Sequence, residues 1–128
     1  MKEPAWVTMD ECQAIHAELL ARFGGLEGIR DEGLLASALD RPRNLFAHAC
    51  ADLFALADAY AGGIIKNHPF LDGNKRAGFV IAALFLETNG LRFTASEEDV
   101  VEKTMGLAAG ELSEEGYASW LGESCKHE

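Results

Sequence analysis

The chain has 128 residues and a mass of 13.8 kDa, one domain's worth with no room for a second core. Eleven Lys+Arg against 21 Asp+Glu give a formal net charge of −10. That balance argues against a general nucleic-acid binder, which needs a basic face to neutralise phosphates, and against docking on anionic membranes. Hydrophobic residues at 48% suffice for a core without a disulfide or metal staple. No run of 18 apolar residues is present, and Met1-Lys2-Glu3-Pro4 has no apolar stretch behind it, so neither a membrane span nor a secretory signal is expected. Cys12, Cys50 and Cys125 are odd in number and lack a C-x-x-C spacing. They read as reduced thiols of a cytoplasmic protein, with Cys12 and Cys50 as small core residues.

The periodicity is helical almost throughout. Thr8-Met9-Asp10-Glu11 has the capping-box pattern, and Cys12, Ile15, Leu19 and Phe23 follow at helical spacing until Gly24-Gly25. After a Gly-rich loop, Asp31 caps a short helix with Leu34, Leu35, Ala38 and Leu39 on one side, which Arg41-Pro42 ends. A third helix runs from about Ala51 to Asn67, striped by Leu53, Leu56, Ala57, Tyr60 and Ile64. Gly62-Gly63 weakens it by roughly 1 kcal/mol per Gly, which close packing against a neighbour would explain. His68-Pro69 breaks that helix, and Phe70-Leu71-Asp72-Gly73 is loop. A strongly apolar helix from about Asn74 to Thr88 reads as the central helix of a bundle, stopped at Asn89-Gly90. Leu91-Arg92-Phe93-Thr94 is a short extended piece. Ser96 caps a helix with Val100, Val101, Thr104 and Ala108 inward, ended by Gly110. Ser113 opens a last short helix holding Tyr117, Trp120 and Leu121, and a polar tail from Gly122 is expected to fray. The fold class is all-α: about six helices in one domain over 1–128, with its core at about 8–121 and the tail at 122–128.

Charge is unevenly spread. Residues 1–59 are net −5 and residues 94–128 net −7, whereas residues 60–93, with Lys66, Lys75, Arg76 and Arg92 against Asp72 and Glu87, are net +2. Asn74, Lys75 and Arg76 fall in the first turn of the apolar helix. A helix N-terminus already carries unpaired N–H groups and about half a positive charge. Two cations there make sense beside an anion, phosphate above all. Gly73 allows close backbone approach. Asp72 is placed to hold Mg²⁺ against phosphate oxygens. His68, at the end of the preceding helix, suits proton abstraction from a hydroxyl near pH 7. A plainer description also fits: an Asp72-Gly73 turn, an Asn74 cap, a structural His before Pro, and Lys75 and Arg76 in solvent.

His68-Pro69-Phe70-Leu71-Asp72-Gly73-Asn74-Lys75-Arg76 resembles the signature of the Fic/Doc superfamily in its Doc form. Phe23–Asp31, Leu84–Gly90 and Ala108–Glu111 are similar to other segments of that family, so the resemblance spans roughly residues 8–121. It implies the small helical Fic/Doc core and ATP with Mg²⁺ as ligands. It further implies His68 as catalytic base, Asp72 as metal ligand, and Gly73, Asn74, Lys75 and Arg76 around the nucleotide phosphates. The family's adenylylating members carry Gly where Lys75 stands and a second Arg where Phe79 stands, and both departures match the Doc branch. The implied activity is transfer of the γ-phosphate to a Ser/Thr hydroxyl of the elongation factor that delivers aminoacyl-tRNA, by the toxin of a toxin–antitoxin pair. Inhibitory Ser/Thr-x-x-x-Glu-Gly/Asn spacing is absent from the sequence; Ser113-Glu114-Glu115-Gly116 comes nearest. Restraint is therefore expected from an antitoxin in trans. AMP transfer on the same scaffold, and a non-catalytic nucleotide- or antitoxin-binding module, remain as alternatives.

Overall fold

Five of the six helices start on a side chain that accepts a hydrogen bond from their own first turn: Thr8, Asp31, Asp52, Ser96 and Ser113. In the computed structural model, which describes residues 2–127, these caps open α1 (Met9–Phe23), α2 (Glu32–Ala49), α3 (Leu53–Asn67), α5 (Glu97–Ala109) and α6 (Glu114–Glu123). The sixth, α4 (Asn74–Thr88), starts on Gly73 with no side-chain cap. Two three-residue strands, β1 (Leu91–Phe93) and β2 (Cys125–His127), pair antiparallel with Leu91 opposite His127. No helix among the described residues is long and apolar enough to cross a membrane.

The expected all-α architecture is what the chain adopts, apart from this small ribbon. The apolar α4 packs at the centre together with α3, and α3 is the more enclosed. Every residue from Leu56 to Ile65 is buried, because α2, α4 and α6 all pack against it. The glycine pair makes that enclosure possible. A Cβ on Gly63 would lie 3.3 Å from the Ala38 Cα, and one on Gly62 would lie 2.6 Å from a Glu114 carboxylate oxygen. The first keeps α2 and α3 close, and the second leaves room for a side chain of α6. Tyr60 is fully buried on α3, and its hydroxyl accepts from the Val7 N–H at 2.9 Å. The segment before α1 is fixed further by Asn89, whose amide exchanges hydrogen bonds with both the N–H and the carbonyl of Ala5.

Four expectations need correction. The second helix does not stop at Pro42 but continues to Ala49. The ring of Pro42 is buried, and beyond it Leu45 and Phe46 pack on the core, Phe46 with its ring edge toward Trp6 at 5.8 Å. That packing outweighs one missing helical hydrogen bond. Cys50 is exposed, in left-handed conformation at the end of α2, while Cys12 is the buried thiol, pushed up to about 12 by desolvation. Val101, expected inward, is exposed, as is Phe23 at the end of the α1 stripe; both border the cleft described below. Lastly, the described part of the tail, 122–127, is ordered: Gly122 and Glu123 belong to α6, and Cys125–His127 form β2; Glu128 lies outside the described residues. The Thr94 N–H and hydroxyl both donate to the Ser124 carbonyl, which ties the tail to the end of β1.

Candidate functional site

α3 ends at Asn67 with His68 as its cap and α4 begins at Asn74, so the six-residue connection 68–73 between two central helices and the first turn of α4 carry the candidate chemistry. His68, Asp72, Gly73, Asn74, Lys75 and Arg76 all border one cleft of about 750 Å³. α5 supplies the opposite wall, with Val100, Val101, Thr104 and Met105 among its lining residues. His68, Asp72, Lys75 and Arg76 are exposed, as reacting or ligand-binding groups must be.

At the cleft's positive end, α4 has no capping side chain, unlike the other five helices, and no acidic residue in its first turn. Lys75 and Arg76 are therefore next to an uncompensated helix N-terminus, the arrangement that favours an anion. Arg76 is held there by the exposed Phe23 ring, whose centroid is 4.0 Å from the guanidinium carbon, a cation–π contact. Asn74 behaves differently from its expected role at the phosphates. It is buried, and its side-chain amide is fully engaged with one residue: Oδ1 accepts from the Phe70 N–H and Nδ2 donates to the Phe70 carbonyl, both at 3.0 Å. Its side chain shapes the loop, leaving its main chain to face the cleft's helical end.

Asp72 is oriented from three directions. Its Oδ1 accepts from the Gly73 N–H at 2.9 Å, and its Oδ2 accepts from the Leu26 N–H at 3.2 Å. The buried His16 ring donates from Nε2 to the Asp72 carbonyl at 2.8 Å; a carbonyl only accepts, so this nitrogen carries the proton. His16 also stacks on Phe70, with centroids 3.7 Å apart. Each carboxylate oxygen keeps a lone pair for a hard cation. Among the described residues, no cluster of three or more His, Cys, Asp or Glu side chains has metal-binding geometry. A single carboxylate fits Mg²⁺ only when phosphate oxygens complete the shell, and the adjoining helix end is where they would sit.

The loop from Gly24 to Asp31 grips this connection along its length. The Leu71 N–H donates to Gly28, the Arg30 and Asp31 N–H groups both donate to Pro69, and Ile29 bridges Phe70. The Arg30 side chain reaches the end of α3: Nε donates to the His68 carbonyl at 2.7 Å and a terminal nitrogen to the Asn67 carbonyl at 2.8 Å. At Gly25, φ is +126° and an added Cβ would come within 2.9 Å of Asp72 Oδ2, so only glycine lets the loop close over the carboxylate. His16 and Arg30 escaped sequence reasoning. The resemblance of Phe23–Asp31 was the available signal, but it gave the segment no task.

The Fic/DOC family pattern matches residues 6–86 of the chain, well over half its length. The chain belongs to the Fic/DOC family. Over 116 residues it is 33% identical to "Protein kinase doc" of Escherichia phage P1, covering 90% of this chain and 91% of that protein. It is also 37% identical over 90 residues to "Toxin Doc" of Mycolicibacterium smegmatis (strain ATCC 700084 / mc(2)155), covering 68% of this chain and 69% of that protein. In this Fic/DOC chain the matched span takes in His68–Arg76 and the Gly24–Asp31 loop that holds it. The α5 wall of the cleft lies outside that span.

Proposed function

We propose that this protein is a Doc-type toxin: an ATP-dependent phosphotransferase that moves the γ-phosphate to a Ser or Thr hydroxyl of a protein. The observation that carries this reading is the uncapped start of α4, flanked by Lys75 and Arg76 and sharing one cleft with His68 and Asp72. The relative named "Protein kinase doc" supports a kinase-type reaction. In this reading Lys75, Arg76, the Gly73 turn and the first amides of α4, Asn74's included, hold the phosphates. Asp72 holds Mg²⁺, which neutralises phosphate charge. His68 accepts the hydroxyl proton as the hydroxyl oxygen bonds to the γ-phosphorus, and ADP leaves with the electron pair of the broken P–O bond. The elongation factor that delivers aminoacyl-tRNA is the proposed target, and an antitoxin in trans is the proposed restraint, in keeping with the relative named "Toxin Doc".

Incubation with γ-labelled and α-labelled ATP, Mg²⁺ and a bacterial lysate tests this directly. Wild type is expected to label a protein from the γ position only. His68→Ala is expected to lose that labelling by a factor of about 10² to 10⁴ and to lose any growth arrest. Label arriving from the α position would assign AMP transfer instead. Growth arrest that survives His68→Ala would assign a non-catalytic binding role.

A further inference from the structure

We propose that Arg30 is a positioning residue for His68, acting on the backbone that carries the imidazole; this rests on the reading of His68 as proton acceptor. His68 has φ +51° and ψ +53°, one of two non-glycine residues with positive φ among those described. Its own Cβ disfavours that conformation, and the ring of Pro69 pushes the preceding residue toward extended backbone. These two forces oppose the capping bond from the His68 N–H to the Ile64 carbonyl at 3.0 Å, so the turn is locally contested and a non-local hold adds to it.

Arg30 supplies that hold with three hydrogen bonds to three consecutive carbonyls. Its side chain donates to Asn67 and His68, and its main-chain N–H donates to Pro69 at 2.6 Å. The first two carbonyls stand at the C-terminal end of α3, where carbonyls lack helical partners and a cation is favoured. Charge-assisted bonds of this kind are the stronger sort. Among the described residues the guanidinium takes part in no salt bridge; the two ion pairs found there belong to Arg41 and Lys66 with Glu114. The guanidinium is thus committed to the chain direction at residues 67–69. The proposed phosphate-holding end of α4 begins at the other end of the connection, at Asn74, and is secured separately by that residue's amide. Arg30 therefore governs proton transfer and not nucleotide affinity.

The test uses the whole chain with Arg30→Met and Arg30→Lys. In Arg30→Met, at a temperature where circular dichroism shows it folded, kcat for γ-phosphate transfer should fall about 10- to 100-fold while the KM for ATP stays within about twofold. The ¹³Cα and ¹³Cβ shifts of His68, which report a positive φ, should move toward extended values in the same variant. Arg30→Lys keeps a cation but reaches fewer carbonyls, so both readouts should lie between wild type and Arg30→Met; it also serves if the methionine variant does not fold. An unchanged kcat, unchanged His68 shifts, or a loss confined to the KM for ATP would overturn the proposal. If wild type itself transfers no γ-phosphate, the phosphotransferase reading fails, and the shifts still decide whether Arg30 sets the His68 backbone.

Discussion

Asn74 shows how a residue with a motif role can do its work indirectly. Both ends of its amide bind the main chain of Phe70, and all the atoms involved are buried. Asn74→Ala would leave a buried N–H and a buried carbonyl without partners, at about 2–4 kcal/mol. Urea denaturation should show that loss as a lowered midpoint with an unchanged slope; a change under about 0.5 kcal/mol would mean that water replaces the amide without penalty. The residues proposed to carry chemistry were legible as candidates because they stand close together: spacing and charge offered His68, Asp72, Lys75 and Arg76 as a site beside a plainer turn-and-cap reading, and the family resemblance favoured the site. Those that hold them in place were not. His16 acts across 56 residues and Arg30 across 38, and neither has a local pattern pointing at a partner that only folding brings near.

At the level of elements, helix beginnings were the easiest features to read. Thr8, Asp31, Ser96 and Ser113 cap where their sequence places them, because a cap is a local interaction with the next three residues. Helix ends depended on packing, as the passage of α2 through Pro42 shows. The ribbon of β1 and β2 was half legible. Three-residue strands carry too little alternation to announce a pairing, and β2 joins β1 across the two helices between them. This ribbon supplies no residue to the cleft lining, meeting it where Phe93 packs on Phe79, so truncation after Glu123 is expected to separate stability from activity. It removes the acceptor for two Thr94 donors and the whole strand ladder, a loss of about 1–3 kcal/mol. Thermal unfolding should register it, while γ-phosphate transfer below the melting transition should stay within about twofold of wild type. A large loss of transfer in the folded truncation would tie β2 to the site.

Across the whole molecule, α2, α3 and α6 meet at a charged junction. Arg41 of α2 and Lys66 of α3 each reach Glu114 of α6 at 2.6 Å. Beneath them Asp58 is buried, with one carboxylate oxygen lacking any partner. Burial, then the charge of Glu114 and a hydrogen bond shared with it, push Asp58 up to about 8. Burial also raises Glu114, but hydrogen bonds from Lys66 and Arg41 outweigh it and leave that carboxyl below its ordinary value. The folded chain therefore keeps a proton on Asp58 that the unfolded chain has released. Its stabilising contribution is complete below about pH 4 and is lost as pH rises toward 8. Glu114 contributes in the opposite sense, losing stability as pH falls through its lowered range. Between pH 6 and 9 Asp58 dominates, and the melting temperature of wild type should fall. Asp58→Asn, which stays neutral, should flatten that decline; an equally steep decline in the variant would place the responsible group elsewhere. Nothing in the sequence pattern pointed to a proton held between these two carboxyls, since Asp58 and Glu114 stand 56 positions apart.

The left-handed twist at residue 68 sets robustness against reactivity. Glycine would accept those dihedral angles without complaint, so His68→Gly should raise resistance to unfolding by about 1 kcal/mol. On the proposed role of His68, the same exchange should abolish phosphate transfer. Under that role the unfavourable backbone is a cost carried for the imidazole; a thermal melt of the glycine variant below that of wild type would show that the backbone there is not strained.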